Sequence, residues 1–398
     1  MIEEARKIAK KMVRRLGGEV EAIYLFGSMA QGFYQPEESD INLLAIVNDG
    51  TSIHALRNLY QPIWEENGRL LKRGPMIAQR SDFARHIRLF PLFAHHLKRD
   101  GQLLFGDPDH LNTLPKLNIL DAYSRLAYLA MEASSALAPE LMDEEKAADV
   151  QAKLRRLARQ VKGAPVLENE TPQQLLAYIQ HIITPRIQQL PAVQQWDVHH
   201  MPTTTSPLLP GLQAIYREGE YMLLVFSQLS PQTIVRTNWQ LLAERLSGQC
   251  KGLKITTSEQ LCLIYAYERP LDSRFRRLQF SWGVDLVSAL QIADRQAILQ
   301  SARYPSDIQI NALPHSYLTE PDDKIHTIIH DFQNKLLNVQ LEHELLVRFG
   351  LTTPFTPPEP LPDRSAPHQK RIDAIRKHLG WWADYYAEQL NRYKTGIL

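Results

Sequence analysis

The sequence predicts an α/β module at the N-terminus, followed by a mainly α-helical remainder. Two runs rich in β-forming residues, EAIYLF at 21–26 and NLLAIV at 42–47, alternate with segments of helical periodicity in residues 1–112. Beyond residue 113 long helical patterns dominate. The 398 residues are enough for two or three domains, so the two regions are expected to fold separately.

The overall composition narrows the class of protein. Lys and Arg total 45 against 44 Asp and Glu, so the chain lacks the basic excess typical of a nucleic-acid-binding surface. The two cysteines, Cys250 and Cys262, have no metal-binding spacing, and so few thiols indicate a reducing compartment. The start of the chain does not resemble a signal peptide, and no apolar run is long enough to cross a membrane. These features predict a soluble, cytoplasmic protein.

The first module is predicted to run helix, strand, strand, helix, strand, helix, strand. The first helix has apolar residues at helical spacing and ends at Gly17-Gly18. Gly74-Pro75 indicates an interruption in the third strand, and Ser81 is a suitable N-cap for the helix after it. The predicted bounds are helix 3–16, strands 21–26 and 42–47, helix 52–66, strand 69–79, helix 81–97, and a strand with a turn at 101–109.

The remainder divides into a helical domain, 113–200, and a mainly helical C-terminal region, 201–398. The loop MPTTTSPLLPG at 201–211 marks the boundary, and the Pro-rich segment 352–367 predicts an extended spacer or arm. The apolar runs 221–229 and 259–268 fit a helix or a strand equally well, and no repeat of fixed period is visible. Helices are predicted at 119–138, 143–162, 172–190, 283–303, 323–348 and 368–392.

The stretch FGSMAQG at 26–32 predicts a turn that can hold phosphate. Gly27 allows a ligand to approach the backbone, and Ser28 is expected to begin a short helix, whose N-terminus favours anions. Asp40 comes at the start of the next strand, and Asn42 follows two residues later. Since residues i and i+2 of a strand share a face, the side chains of Asp40 and Asn42 should project together beside the turn.

These residues resemble the nucleotidyltransferase superfamily, which includes the β-type DNA polymerases, the aminoglycoside nucleotidyltransferases and the small MNT-type antitoxins. The family pattern is Gly-Ser, a spacer, and then Asp-hydrophobic-Asp/Glu-hydrophobic, which this chain shows as FGS and SDINL. The resemblance implies that Gly27 and Ser28 hold the phosphates of ATP or another nucleoside triphosphate, and that Gln31 and Asn42 also belong to the nucleotide-binding site. It also implies that Asp40 ligates Mg²⁺, with Asn42 as a weaker ligand through its amide oxygen.

Three departures from the family pattern predict a degenerate metal site. Asn42 replaces the second carboxylate, the third-strand region 69–81 contains no acid, and Gln31 stands where the MNT-type turn has a phosphate-facing arginine. The acids nearest to the site in sequence are Glu37, Glu38, Asp49 and Asp82. Nucleotidyl transfer depends on electrostatic stabilisation, so the sequence predicts a nucleotide-binding protein with weak or no activity and a regulatory or scaffold role.

Two other functions remain open. The first is an active, Mg²⁺-dependent nucleotidyltransferase that transfers a nucleoside monophosphate to a small molecule, an RNA end or a protein hydroxyl. The second is a non-catalytic RNA-associated protein that uses the arginine- and phenylalanine-containing segment 272–280. In the last helix four clustered aromatic residues predict docking to another domain, a protein partner or a second copy of the chain; they are Trp381, Trp382, Tyr385 and Tyr386.

Overall fold

The computed structural model forms two compact units. Unit 1 combines Met1–Leu117 with Ile298–Leu398, and unit 2 is Asn118–Ala297. The predicted domain boundaries at 112 and 200 follow a different division and stay predictions. The structure describes residues 2–32, 34, 40–116, 119–135, 151, 154–155, 157–158, 170–189, 209–239, 241–242, 252–267, 278–287 and 294–392.

Unit 1 contains the predicted mixed sheet flanked by helices. Its strand order is β3-β2-β1-β4, in which β2 and β3 are parallel and the other neighbours are antiparallel. The sheet buries apolar side chains of β1 and β2 against the helices that follow β3. The elements are α1 (Ile2–Leu16), β1 (Val20–Phe26), β2 (Asn42–Val47), α2 (Ile53–Leu71), β3 (Met76–Gln79), α3 (Arg80–Leu89), α4 (Pro91–Asp100) and β4 (Gln102–Gly106).

Two predicted boundaries in this module are wrong. Residues 69–71 complete α2, whose C-cap Lys72 adopts a φ of 49° and donates its N–H to Gly68, so β3 shrinks to four residues. The predicted helix 81–97 is two helices, because Pro91 keeps Phe90 out of the helical region and starts α4 itself. Ser81 lies inside α3 rather than capping it.

Unit 2 holds a second four-stranded sheet, of order β7-β6-β5-β8, among its helices. The undecided run 221–229 begins with a strand, and the undecided run 259–268 lies almost wholly in a helix. The predicted helix 143–162 lies largely outside the described residues. The elements are α5 (Ile119–Ser135), α6 (Pro172–Gln188), β5 (Leu212–Glu218), β6 (Tyr221–Phe226), α7 (Pro231–Arg236), β7 (Gly252–Thr257), α8 (Ser258–Tyr267) and β8 (Leu278–Gly283).

The chain then returns to unit 1 through four helices. They are α9 (Asp294–Asp307), α10 (Leu313–Thr319), α11 (Ile325–Arg348) and α12 (His368–Arg392), with a π-helical turn at Ile308–Ala312 between α9 and α10. The remainder of the chain is therefore mainly helical, as predicted. No helix in the described part of the chain is long and apolar enough to span a membrane.

Buried polar contacts join these last helices to the first module. Arg57 of α2 is 1% exposed and donates to the carbonyl oxygens of Tyr317 and Glu320. Arg85 of α3 forms ion pairs with Asp82 at 2.8 Å and with Asp384 of α12 at 2.9 Å. Because an unpaired buried charge is costly, these contacts fix α2 and α3 against the returning helices.

The aromatic cluster of α12 packs inside unit 1. Trp382 and Tyr386 are buried, and the hydroxyl of Tyr386 lies 3.0 Å from Nδ1 of His343 on α11. The Pro-rich segment lies over this cluster: Phe355 stacks on Tyr385 at 4.4 Å and donates its N–H to Nε2 of His343. Trp382 and Tyr386 therefore pack within their own unit, and docking of this helix to a protein partner or a second copy stays a prediction.

Tyr60 and Tyr317 offer a matched test of buried hydroxyl groups in unit 1. Both side chains are fully buried, but Tyr60 has no hydrogen-bond partner among the described residues, whereas Tyr317 bonds Nδ1 of His54 at 2.9 Å. We expect Tyr60→Phe to leave the free energy of unfolding unchanged or raise it by up to about 1 kcal/mol. Tyr317→Phe should lower it by about 1 kcal/mol. Urea unfolding checks both values, and equal losses would contradict the assignment.

Candidate functional site

The turn after β1 is built on Gly27. Its φ of 76° is a left-handed conformation that favours glycine, and a Cβ atom there would lie 2.8 Å from Nδ2 of Asn42. The carbonyl oxygen of Gly27 accepts the N–H of Gln31 at 3.2 Å, and Ser28 is the half-buried first residue of the turn. Residues 28–32 form turns and no helix, so the predicted helix start at Ser28 is wrong.

Asp40 and Asn42 lie beside this turn. Asn42 opens β2, pairs with Phe26 at the end of β1 and donates from Nδ2 to Oδ1 of Asp40 at 3.0 Å. The Asp40 side chain is 16% exposed. Asn42 thus contacts Asp40 and borders Gly27, so the structure brings together the turn and the carboxylate that the sequence analysis singled out.

A third group, Arg73, completes the surroundings of Asp40. Its Nε lies 3.2 Å from Oδ2 of Asp40, and its own side chain is 63% exposed. One oxygen of the carboxylate therefore accepts a hydrogen bond from Asn42, and the other is ion-paired with Arg73. Sequence analysis missed Arg73, although a basic pair directly after a helix and before Gly-Pro was a visible signal.

The residues that lead into β3 contact His315 and carry no acid. Leu44 pairs with Met76 in the parallel β2–β3 ladder, so two residues earlier Gly74 lies level with Asn42. The N–H of Gly74 donates to Nδ1 of His315 at 2.8 Å, and a Cβ on Gly74 would lie 2.9 Å from Thr319. No side chain fits at residue 74 without displacing α10.

His315 reaches this place from the returning part of the chain. Burial lowers its pKa, Arg73 lowers it further, and Glu320 and Asp40 act in the opposite direction. Because Nδ1 accepts a hydrogen bond from Gly74, the neutral ring carries its proton on Nε2. Nothing in the local sequence predicts this contact, since His315 is far from Asp40 along the chain.

Two of the other predicted acids, Asp49 and Asp82, do not supply the missing carboxylates. Asp49 accepts from the N–H and hydroxyl of Ser81, and Asp82 is buried in its ion pair with Arg85. Both follow the C-terminal ends of β2 and β3, whereas Asp40 precedes β2, a strand about 17 Å long. Glu37 and Glu38 lie outside the described residues.

Gln31 also has a carboxylate partner. Its Nε2 donates to Oδ2 of Asp100, the last residue of α4, at 2.9 Å. Asp100 is bonded in addition by Arg99, and these contacts lower the pKa of the Asp100 carboxyl. The structure thus ties Gln31 to α4, and its predicted role toward phosphate stays a prediction.

The described residues do not fit a two-magnesium site. Mg²⁺ pairs in nucleotidyl transfer are held by several carboxylates, and here one carboxylate is already bonded on both oxygens. Within the described ranges, no three His, Cys, Asp or Glu residues come together as metal ligands. The site is a glycine turn beside a single, cation-paired aspartate.

A mixed sheet, a glycine-serine turn and an aspartate two residues before the second strand are the features from which the sequence predicted a nucleotidyltransferase domain. The family model described as "Nucleotidyltransferase domain" matches residues 5–87, so these residues form a nucleotidyltransferase domain. A comparison with characterised proteins by sequence gives no match.

One solved structure that matches part of this chain is spectinomycin adenyltransferase AAD(9) from Enterococcus faecialis, determined with ATP and spectinomycin. It is 13% identical to this chain, with a TM-score of 0.31. The match covers 46% of this chain and 90% of that protein.

The candidate RNA-binding segment is not tested by these findings. Its arginines, Arg274, Arg276 and Arg277, lie outside the described residues, and only the end of the segment enters β8. RNA association stays a prediction of the sequence.

Proposed function

We propose that the N-terminal domain binds a nucleoside triphosphate at the Gly27-Ser28 turn beside Asp40, transfers nucleotides weakly or not at all, and serves as a regulatory or scaffold element. The observation that carries this proposal is the state of Asp40. Asn42 donates to one of its oxygens and Arg73 is ion-paired with the other, and the described residues contain no cluster of three possible metal ligands.

The charge at the site suits binding better than transfer. In nucleotidyl transfer, metal ions held by carboxylates offset the negative charge that builds up on the phosphates. Here Arg73 neutralises Asp40 directly, and the residues that lead into β3 carry no acid. Arg73 is largely exposed and can also contact a phosphate, because a guanidinium matches phosphate oxygens.

The turn supplies the second part of the phosphate site. A glycine of positive φ at the start of a turn is a common element of anion-binding loops, because neighbouring backbone N–H groups there can face a ligand. The N–H groups of Gln31 and Gly32 bond back to Gly27 and Met29, which leaves those nearer to Gly27 for a phosphate. The hydroxyl of Ser28 can add a further donor. Magnesium that arrives with the nucleotide is compatible with this arrangement, but the chain offers few ligands of its own.

Calorimetry with ATP tests the binding site through two matched glycine variants. Gly27→Ala places a methyl group 2.8 Å from Asn42 at the turn and should weaken ATP binding at least about tenfold. Gly50 also has a positive φ, 86°, but lies in open space at the far end of β2. Gly50→Ala therefore carries the same backbone strain and should leave the affinity unchanged.

Two outcomes would contradict the proposal. Wild-type protein that binds no nucleoside triphosphate would remove it, as would equal affinities of the Gly27→Ala and wild-type proteins. Ready transfer of a radiolabelled nucleoside monophosphate to small molecules, RNA or protein would support the active-enzyme alternative in its place.

A further inference from the structure

The sheet of unit 2 repeats the sheet of unit 1 strand by strand. In each, the first strand is central and pairs antiparallel with the second and the fourth, while the second pairs in parallel with the third. The orders β3-β2-β1-β4 and β7-β6-β5-β8 are therefore the same arrangement. A helix follows the third strand directly in both, at Arg80 and at Ser258.

The irregularities of the two sheets also coincide. The register between the first and second strands shifts between Val20 and Ala22 in one sheet and between Leu212 and Ala214 in the other. The pairing with the fourth strand is shifted directly after Ile23 in β1 and directly after Ile215 in β5. Bulges are local features of individual folds, so two shared positions indicate more than a shared strand order.

Each fourth strand ends at a glycine whose position leaves no room for a side chain. Gly106 and Gly283 have φ values of 89° and 92°. A Cβ atom on Gly106 would lie 1.8 Å from the carbonyl oxygen of Glu21, and one on Gly283 would lie 2.0 Å from that of Gln213. Glu21 and Gln213 are equivalent residues of β1 and β5, so the two glycines meet the same backbone obstacle.

In both sheets a tyrosine of the first strand contacts the residue that follows this glycine. The hydroxyl of Tyr24 donates to the carbonyl oxygen of Asp107 at 3.4 Å, and that of Tyr216 lies 3.4 Å from the carbonyl oxygen of Val284 and 3.1 Å from Oδ1 of Asp285. Both carbonyl oxygens belong to the residue directly after the glycine that ends the fourth strand. Burial raises the pKa of Tyr24 to about 12, which keeps this donor protonated.

The sheets differ at the end where unit 1 holds its phosphate turn. Residues 27–41 connect β1 to β2 and carry Gly27, Ser28 and Asp40, whereas Gly219 and Glu220 alone connect β5 to β6. Lys254, which takes the place of Met76, forms an ion pair with Glu218 at 3.0 Å and lies 5.1 Å from the ring centre of Tyr221. A tight hairpin and a lysine contact thus cover this end of the second sheet.

We infer that unit 2 contains a second copy of the nucleotidyltransferase sheet, in which the phosphate-binding connection has been replaced by a hairpin. This copy offers neither a glycine-serine turn nor an aspartate before its second strand. Among the described residues, the second sheet therefore has no counterpart of the Gly27-Ser28 turn, and it acts as a closed structural module. The inference stands on the geometry of unit 2 and does not depend on whether unit 1 binds a nucleotide.

The equivalent glycines test the repeat. We expect Gly106→Ala to remove hydrogen-exchange protection from β1 and β4, and Gly283→Ala to remove it from β5 and β8, with each change confined to its own sheet. Gly219→Asn is the control, because Gly219 lies in open space and Asn tolerates its positive φ. Wild-type protection in Gly283→Ala, measured by mass spectrometry, would overturn the equivalence of the two sheets.

Photolabelling of the intact wild-type chain tests the closed end and does not require a variant to fold. The protein is irradiated with 8-azido-ATP, and the labelled peptides are identified by mass spectrometry with excess ATP as competitor. Peptides covering β5 to β8 should carry no label that ATP displaces, whether or not residues 27–42 are labelled. Displaceable label at the hairpin of Gly219 and Glu220 would overturn the inference.

Discussion

Combining Asn42→Asp with Arg73→Met should make ATP binding by the N-terminal domain depend on magnesium. The first change adds a second carboxylate on the face that carries Asp40, and the second frees Oδ2 of Asp40 from its ion pair. Two adjacent carboxylates without a cation repel each other and attract a divalent ion. We expect ATP to bind the double variant at least about tenfold more tightly in Mg²⁺ than in EDTA.

The wild-type protein is the reference for this experiment. Because Arg73 already neutralises Asp40, its ATP affinity should change less than about threefold between Mg²⁺ and EDTA. Arg73→Lys keeps the positive charge and is the matched control, which should behave as the wild type does. A wild-type affinity that falls tenfold in EDTA would show that the native site already relies on the metal.

Acidification should destabilise unit 1 through two buried histidines. Burial lowers the pKa of His86 to about 3, helped by Arg85 and Arg303, and lowers the pKa of His343 to about 4. Below pH 6.5, the ordinary pKa of histidine, the two side chains are protonated in the unfolded chain but stay neutral in the folded protein. The full stability is therefore present above pH 6.5 and is lost as the pH falls toward 4.

The size of this loss can be measured by urea unfolding between pH 7 and pH 4. Each histidine lowers the free energy of unfolding by up to about 1.4 kcal/mol per pH unit, so the two together cost on the order of 5 kcal/mol. His343→Gln should remove about half of the pH dependence that the pair creates. His326→Gln, at an exposed position of α11, is the control and should leave it intact. A profile of His343→Gln that parallels the wild type would refute this assignment.

The strands of the first module were predictable because their signals are strong and local. Apolar runs closed by turn residues gave β2 its observed bounds and β1 to within one residue. The end of α2 was not predictable in this way, since Leu70 and Leu71 suit a helix or a strand equally well. The burial of Leu71 in the folded unit decides between them. The break at Phe90 was visible in Pro91, whose effect on the preceding residue was overlooked.

The site was predictable only where its residues are neighbours in sequence. Gly27, Ser28, Asp40 and Asn42 belong to one short stretch, but His315 reaches the site through tertiary packing that no local pattern encodes. The repeat of the sheet was hidden in the same way, because the two copies share strand register and bulge positions and not a sequence pattern of fixed period. The tripeptide Ala-Ile-Tyr at 22–24 and again at 214–216 was the one trace of it in the sequence.

The discontinuity of unit 1 has a consequence for biosynthesis. Its opening stretch to Leu117 leaves the ribosome well before the helices from Ile298 onward that cover it, and the 180 residues from Asn118 to Ala297 come between. At roughly 5–20 residues per second that interval lasts about 10–35 s. Throughout it Arg57 lacks the carbonyl oxygens of Tyr317 and Glu320, and Phe83 lacks Ile310 of its buried cluster, so the nascent chain exposes groups that the finished unit buries.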